Sequence, residues 1–264
     1  MPFADINGTR LHYSITGSGL PVVFVHPPLL EGNSFVYQQE QLSDSYQVIT
    51  FDIRGHGRSR YSELPVTFPL LARDICMLLE YLHIPKAYIC GYSIGGAVAL
   101  ETILADPGRF YGGILLSAMS EVSDPVLRRS LQACVAAAKY RARRFLTAVI
   151  TIGNANSFQT FRKLYRDSMK GDIRNQEQYY RQGLIYNCTV RLKDIHVPML
   201  LLYGEKNFVF HKYANVLHRH LPFSSLQFIR EAKHQLPTKW HSQTNERIRR
   251  WIREQITEKE SPSG

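Results

Sequence analysis

The residue whose type and setting best suit chemistry is Ser93. It lies in the run Gly91-Tyr92-Ser93-Ile94-Gly95-Gly96, after the apolar segment Ala87–Cys90 and before an alanine-rich stretch with helical spacing. A serine on a sharp strand-to-helix turn is held in strained backbone angles, and small residues two positions before and after it prevent clashes. The turn exposes the hydroxyl at a helix N-terminus, where partial positive charge stabilises a developing anion. The pattern predicts that Ser93 is a nucleophile, with a structural turn serine as the alternative.

Other residues that commonly carry chemistry do not form a cofactor site. No Gly-x-Gly-x-x-Gly follows the first apolar run, no Gly-Lys-Ser/Thr closes a phosphate loop, and no cysteines have a Cys-x-x-Cys spacing. We therefore expect no cofactor and no metal. The N-terminus has no signal-peptide pattern, and no apolar run approaches the roughly 20 residues that span a bilayer. We interpret the cysteines as reduced thiols of a cytoplasmic protein, with Cys90 in the core of a strand.

The segments that must position Ser93 alternate between strand and helix patterns. Asn7-Gly8 predicts a tight turn between two strands. Short, continuous apolar runs are typical of strands buried on both faces of a parallel sheet. These runs are Val22–Val25, Val48–Phe51, Ala87–Cys90, Gly113–Leu116, Met199–Tyr203 and Leu226–Ile229. Helical patterns lie at Pro69–His83, Ile94–Ala105, Lys212–Leu221 and Lys239–Glu258. The order predicts an α/β fold, with a mostly parallel central sheet and helices on both faces.

One long segment interrupts this alternation. Residues 119–196 lack strong strand patterns, and Val126–Ile152 and Ser157–Met169 have helical patterns separated by a predicted break at Gly153-Asn154. We therefore predict that residues 1–118 and 197–264 form an α/β core. Residues 119–196 are predicted to form a helical insertion after the sixth strand.

Three motifs resemble those of the α/β-hydrolase superfamily, in its branch of esterases, meta-cleavage hydrolases and haloperoxidase-like enzymes. They are His26-Pro27-Pro28, the run Asp52-Ile53-Arg54-Gly55-His56-Gly57-Arg58-Ser59, and the turn at Ser93. The resemblance covers roughly residues 3–258 and implies the α/β-hydrolase fold, with residues 119–196 as a cap over the site. Relatives that open epoxides or cleave alkyl halides carry Asp at the position of Ser93, so the serine implies acyl chemistry. We interpret Asp52–Ser59 as scaffold.

The resemblance also implies a base and an acid, because the superfamily has the chain order nucleophile, acid, histidine. His234 follows the last predicted strand and fits the general base. Asn207 occupies the position where relatives usually carry Asp. An amide can orient an imidazole, but it cannot stabilise the imidazolium by charge. Three interpretations stay open: a specialised triad through Asn207, an attenuated enzyme, or a charge supplied by another carboxylate, namely Glu121, Asp124 or Glu205.

The implied oxyanion hole is unusual. One donor is the backbone N–H of Ile94, the residue after the nucleophile. The second normally comes from the loop after His26, but prolines 27 and 28 have no N–H. Leu29 is the first following residue that can donate, and we predict it as the second donor. Four aromatic residues are expected near the mouth of the pocket: Phe35, Tyr37, Tyr92 and Phe208.

The charge of the chain is concentrated in one segment. The 264 residues carry a formal net charge of +10. Residues 121–195 contain 14 Lys/Arg and 6 Asp/Glu, with the densest cluster at Lys139, Arg141, Arg143 and Arg144. No nucleic-acid-binding module accompanies this charge, so we expect no nucleic-acid partner. It is interpreted as a solvated basic surface, or as one that steers an anionic ligand.

Taken together, these residues predict a serine hydrolase for a small to medium carboxylic ester or a related acyl bond, without a cofactor or a membrane span. The basic insertion favours an anionic acyl substrate. Two alternatives stay open: a catalytically attenuated ligand-binding or regulatory protein on a hydrolase scaffold, and a cofactor-free perhydrolase that uses peroxide in place of water.

Overall fold

A twisted sheet forms the centre of the protein. The computed structural model describes residues 2–139 and 142–260, with the backbone alone for 258–260. The strands of the described residues are β1 Phe3–Ile6, β2 Thr9–Thr16, β3 Leu20–Val25, β4 Tyr46–Phe51, β5 Ala87–Tyr92, β6 Phe110–Leu116, β7 Met199–Gly204 and β8 Ser224–Ile229. Their order is β1-β2-β4-β3-β5-β6-β7-β8. Strand β2 pairs antiparallel with β1 and β4, and the other neighbours pair parallel. The predicted fold class is confirmed.

The strands form where the local patterns predict them. Asn7 and Gly8 have φ angles of 46° and 71°, as a two-residue hairpin turn requires, and Ile6 pairs with Thr9 across it. Strands β5 and β7 are buried at every residue, which explains their continuous apolar sequence. The parallel strands end together at one edge of the sheet, so the loops that follow them meet there.

Helices cover both faces of the sheet. In β3, Val23 and Val25 face one hydrophobic core, and Val22 and Phe24 face the other. The flanking helices are α1 Val36–Leu42, α2 Phe68–Tyr81, α3 Ile94–Ala105, α8 Phe208–His220, α9 Leu236–Lys239 and α10 His241–Glu260. The first core contains residues of α2, α3 and α8, and the second contains residues of α1, α9 and α10. Helix α3, which follows Ser93, is buried along almost its whole length.

The residues between β6 and β7 form helices, which we call the inserted helices. They are α4 Pro125–Lys139, α5 Arg143–Asn154, α6 Phe158–Ser168 and α7 Ile173–Ile185. The predicted single helix Val126–Ile152 is wrong, because it is two helices, and α7 was not predicted. The predicted break after Ile152 comes at Asn154, where α5 ends. Arg141 of the predicted basic cluster lies outside the described residues.

Two further predictions concern the environment of the chain. The four cysteines are unpaired, and Cys90 is fully buried in β5, as predicted. Within the described residues, none of the helices combines the length and the apolar character that crossing a membrane requires. The cytoplasmic location stays a prediction.

Candidate active site

Ser93 lies on a strained turn between β5 and α3. Its φ and ψ angles are 54° and −123°, a combination that L-residues rarely adopt. The turn is possible because the residues two positions before and after Ser93 are glycines. A Cβ on Gly91 would lie 2.5 Å from the Gly95 carbonyl oxygen, and one on Gly95 would lie 2.3 Å from the Val25 carbonyl oxygen. The structure therefore has the strand-to-helix turn that the sequence predicts, with the serine at the N-terminus of α3.

His234 faces Ser93 from the far end of the chain. It lies in the loop between β8 and α9, and its Nε2 atom is 3.1 Å from Ser93 Oγ. The imidazole packs against Phe210, with ring centroids 4.4 Å apart, and against Tyr92 at 5.4 Å. This burial lowers the pKa of His234 to about 4. The side chain is therefore neutral at pH 7 and can accept a proton.

Asn207 lies on the other side of the imidazole. It follows β7 in a turn closed by its own N–H and the Gly204 carbonyl, and it precedes α8. Its amide nitrogen is 3.1 Å from His234 Nδ1 and 3.5 Å from Ser117 Oγ. The sequence-predicted residues Ser93, His234 and Asn207 are therefore brought together in a line.

The orientation of this amide decides which imidazole nitrogen carries the proton. With the amide nitrogen toward Nδ1, the amide donates, and the proton of the neutral ring sits on Nε2. With the amide oxygen toward Nδ1, that nitrogen carries the proton, and Nε2 has a free lone pair for the Ser93 hydroxyl. Rotation of the Asn207 amide by half a turn exchanges the two states, whereas a carboxylate would allow the second state alone.

The three alternative carboxylates are engaged elsewhere. Glu121 accepts hydrogen bonds from Asn187 and Thr189, each at 2.9 Å. The other two serve backbone groups: Asp124 caps the first turn of α4, and Glu205 accepts the N–H of Glu231 at 2.9 Å. Among the described residues, no carboxylate forms a hydrogen bond or ion pair with His234. The geometry leaves Asn207 as the partner of the imidazole.

The two predicted oxyanion donors are the backbone N–H groups of Ile94 and Leu29. Ile94 is the first residue of α3, so its N–H has no acceptor within the helix. Leu29 has a φ angle of 62°, and the N–H of Leu30 donates to the Pro27 carbonyl at 3.3 Å, which closes a tight turn around it. Among the described residues, the Leu29 N–H has no hydrogen-bond acceptor in the protein. Its role as a donor stays a prediction.

His26 holds this loop in place, a role that the sequence did not indicate. The imidazole is fully buried, and burial lowers its pKa to about 4. Its Nε2 accepts the N–H of Ile53 at 2.9 Å, so its Nδ1 carries the proton and donates to the Pro27 carbonyl at 2.9 Å. The hydroxyl of Tyr179, from α7, donates to the His26 carbonyl at 2.9 Å. This histidine therefore links the loop after β3 to the loop after β4.

The run Asp52–Ser59 has the scaffold contacts that we predicted. Asp52 accepts the backbone N–H groups of Gly32 and Arg58 at 2.8 and 2.9 Å. Arg54 donates to both carboxylate oxygens of Asp74, on α2, at 2.5 and 2.6 Å. These contacts tie the run to neighbouring loops and to α2.

A pocket of about 460 Å³ opens above Ser93 and His234. The inserted helices contribute mostly apolar residues to it: Val126, Leu127, Leu131, Val149, Ile150 and Tyr180. No Asp, Glu, Lys or Arg is found among the described residues that line it. The pocket therefore suits a neutral, apolar group. The lining residues of α4 and α5 could not be assigned from sequence, because a helical pattern does not show which site a face covers.

One of the four predicted aromatic residues lines this pocket. Tyr92 does so, and its hydroxyl donates to Asn154 at the end of α5, at 3.0 Å. The other three lie elsewhere: Phe35 packs on Phe24 in the core, Tyr37 stacks on His241, and Phe208 is exposed beside His211. The expectation that these three lie at the mouth of the pocket is wrong, because sequence does not show where a side chain points.

Comparison with solved structures supports the same fold. An esterase from Exiguobacterium antarcticum aligns with a TM-score of 0.85 at 21% identity, covering 94% of this chain and 97% of the esterase. The enol-lactonase from Burkholderia xenovorans LB400 aligns with a TM-score of 0.84 at 19% identity, covering 95% and 99%. At these sequence identities, the structural similarity shows a shared fold.

Sequence relatives are similar over different lengths. The human serine hydrolase BPHL is 27% identical, covering 91% of this chain and 82% of that protein. This chain spans less than half of two others: 44% of the dihydrolipoyllysine-residue acetyltransferase component of the acetoin cleaving system of Cupriavidus necator, and 49% of the putative carbamate hydrolase RutD of Azorhizobium caulinodans. The first of these is 27% identical over 64% of this chain, and the second is 31% identical over 50% of it.

Residues 38–247 match the family model described as serine aminopeptidase, S33. With its fold and these matches, the chain belongs to the serine aminopeptidase S33 family of the α/β-hydrolase superfamily.

Proposed function

We propose that this protein is a serine hydrolase that cleaves a small to medium carboxylic ester or a related acyl bond. The observation that carries the proposal is the distance of 3.1 Å between Ser93 Oγ and His234 Nε2, on a turn that exposes the serine at a helix N-terminus. A serine hydroxyl becomes a nucleophile when an adjacent base takes its proton. The low pKa of His234, about 4 because of burial, keeps that base unprotonated at pH 7.

The reaction proceeds through an acyl-enzyme. His234 Nε2 takes the Ser93 proton as Oγ forms a bond to the substrate carbonyl carbon. The carbonyl oxygen becomes an oxyanion, and the N–H groups of Ile94 and Leu29 bind it. The intermediate collapses, the bond to the alcohol breaks, and the alcohol leaves with the proton from His234. Water then attacks the acyl-enzyme with the same base and releases the acid and Ser93.

The pocket favours an ester with a neutral acyl group. Its lining is apolar and contains no Asp, Glu, Lys or Arg among the described residues. An aminopeptidase must bind the ammonium group of a peptide N-terminus, for which a carboxylate is the usual partner. The lining therefore favours esters over peptides. An anionic substrate, which the sequence analysis predicted, would need a positively charged partner among residues that do not line the pocket.

We also infer that residues 119–196 act as a cap over the site, because α4, α5 and α7 all contribute residues to the pocket lining.

The names of relatives support an acyl substrate. A 3-oxoadipate enol-lactonase from Acinetobacter baylyi is 25% identical over 75% of this chain. Lactones and carboxylic esters pass through the same tetrahedral intermediate, and the same hydrogen-bond donors stabilise it.

A second candidate is a ligand-binding protein with attenuated hydrolysis, favoured by the absence of a carboxylate at His234 among the described residues. An amide in place of this carboxylate costs about 10⁴ in turnover in the serine-protease template. The two candidates share the pocket and differ in rate.

Replacement of the nucleophile tests the proposal. We expect Ser93→Ala to reduce hydrolysis of p-nitrophenyl butyrate to the background rate and to leave the circular dichroism spectrum unchanged. Ser242→Ala, at the start of α10 and outside the pocket, is the matched control and retains the parent rate. Equal rates in the Ser93→Ala variant and the parent would exclude Ser93 as the nucleophile. A parent at the background rate that still binds the ester would favour the second candidate.

A further inference from the structure

An exposed apolar surface surrounds the mouth of the pocket. Val126, Val149 and Val209 line the pocket and are nevertheless 63%, 49% and 42% exposed. They come from α4, α5 and α8, so the apolar surface reaches the mouth from three elements. Soluble proteins bury side chains of this kind or scatter them singly.

Helix α5 extends this surface away from the mouth. Phe145 is four residues before Val149 and Ile152 is three residues after it, so the three share one face of the helix. Phe145 and Ile152 are 71% and 60% exposed. The opposite face of α5 is buried through Thr147 and Thr151. We call Val126, Phe145, Val149, Ile152 and Val209 the apolar rim.

Arginines lie beside the apolar rim. Arg144 directly precedes Phe145, and Arg129 is three residues after Val126 on the same side of α4; both are exposed. Residues 121–195, which include both helices, contain 14 Lys/Arg against 6 Asp/Glu. The pocket inside the rim has no such charge among its described lining residues. Arg129 and Arg144 therefore place positive charge beside the apolar rim and outside the pocket lining.

We propose that the apolar rim and its arginines dock the mouth of the pocket on the surface of an anionic phospholipid bilayer. Apolar side chains that flank a basic helix enter the boundary between headgroups and acyl chains, and arginines bind the phosphates. The docked pocket opens toward the lipid, from which an amphiphilic ester enters acyl group first. The entry of the ester rests on the function proposed above; the docking does not.

Binding to vesicles tests the docking. The full chain is sedimented with vesicles of equal parts phosphatidylcholine and phosphatidylglycerol, and with vesicles of phosphatidylcholine alone. We expect binding to the mixed vesicles at low salt and loss of that binding at high salt. Replacement of Arg129 and Arg144 by Gln weakens binding about fivefold per arginine. Replacement of Phe145 and Ile152 by Ser weakens it at least about tenfold.

A matched variant and an activity measurement separate the docking from hydrolysis. Phe223 is 59% exposed but lies beside the start of β7, at the opposite edge of the sheet, so Phe223→Ser leaves binding unchanged. None of the four replaced rim and arginine residues lines the pocket, so hydrolysis of soluble p-nitrophenyl acetate without vesicles stays at the parent rate in every variant. Hydrolysis without vesicle binding would overturn the docking and leave the proposed function standing.

Three further results would overturn the docking. The first is equal binding to both vesicle types. The second is an equal loss of binding in the Phe223→Ser variant. The third is a concentration-dependent dimer, seen by sedimentation velocity, that the Phe145→Ser and Ile152→Ser variant dissociates, because a second copy of the chain would then cover the rim.

Discussion

Two clusters of hydrogen-bonded side chains in this protein differ in whether they contain charged groups. In the scaffold cluster, Arg54 and Asp74 form a bidentate ion pair, and both side chains are about 2% exposed. Arg54 also donates to Ser62 Oγ and to the Asn7 carbonyl oxygen, and the Asn7 side-chain amide donates to Asp74. In the candidate catalytic cluster, Ser93, His234 and Asn207 are joined by hydrogen bonds between neutral groups.

The difference reflects what each cluster has to do. In a buried ion pair, each charge has to be compensated by an opposite charge and by hydrogen bonds. The bidentate geometry of the pair also fixes the positions of the loops that carry it. The scaffold cluster meets this condition and holds the loop after β4 against α2. In the proposed reaction, the candidate catalytic cluster has to change its protonation state, and the Asn207 amide would give no electrostatic stabilisation to the imidazolium that forms. Among the described residues, a carboxylate is present in the scaffold cluster, and none bonds to His234.

The largest expected effect comes from placing a carboxylate in the catalytic cluster. Asn207→Asp should raise the turnover of p-nitrophenyl butyrate by up to about 10⁴, because a carboxylate fixes the proton on Nδ1 and stabilises the imidazolium. Single-turnover and steady-state rates of parent and variant measure the gain. Asn207→Ala, which removes the partner, should lower the rate. An Asp variant no faster than the parent would mean that the amide already performs the full role.

The second effect concerns the scaffold cluster. Arg54→Met leaves the Asp74 carboxylate buried without its partner and should lower the free energy of unfolding by about 3–5 kcal/mol. Urea denaturation followed by circular dichroism measures the loss. The double variant Arg54→Met, Asp74→Leu removes both charges and should recover most of it. The exposed pair Arg250–Glu246 is the comparison, and Arg250→Met should change stability little. A similarly small loss for Arg54→Met would contradict the assigned role.

The smallest effect is on the pH dependence of the rate. The base has to be neutral, and the His234 pKa is lowered to about 4 by burial. At pH 5, roughly 90% of such an imidazole is neutral, against roughly 3% for an ordinary histidine with a pKa near 6.5. We therefore expect kcat/KM for p-nitrophenyl butyrate to differ by less than about twofold between pH 5 and pH 7.5. In Asn207→Asp the new charge raises the His234 pKa, so the acid limb moves to higher pH. A fall of about thirtyfold in the parent would show an unshifted histidine.

Local sequence predicted the elements well where one short pattern decides them. The Asn7-Gly8 turn, the buried strands and the strained turn at Ser93 depend on neighbours within a few residues, and each is present. The inserted helices were predicted less accurately: Val126–Ile152 was expected as one helix, and α7 was missed. Alanine and arginine favour a helix throughout this segment, so local preference alone does not show where packing ends one helix and starts the next.

The residues of the candidate site were also predictable from the sequence only in part. Ser93 was predicted from its strand-to-helix turn, and His234 and Asn207 from the chain order that the resemblance to the α/β-hydrolase superfamily implies. All three follow strands of a parallel sheet, whose carboxyl ends meet at one edge. Their roles stay predictions, but their proximity follows from the topology. The position of the carboxylates did not follow, because Glu121, Asp124 and Glu205 have equally suitable places in the sequence and differ in the groups that they contact.

The amino-acid sequence by itself determined the order of strands and helices, the turn that exposes Ser93, and the loops that carry His234 and Asn207. These features depend on periodicity and on glycines within a few positions, which are local properties. The tertiary structure alone decided which group faces His234 Nδ1, that His26 links two loops, and that the pocket lining is apolar. These depend on contacts between residues far apart in the chain, such as Ser93 and His234, and no local pattern encodes such contacts.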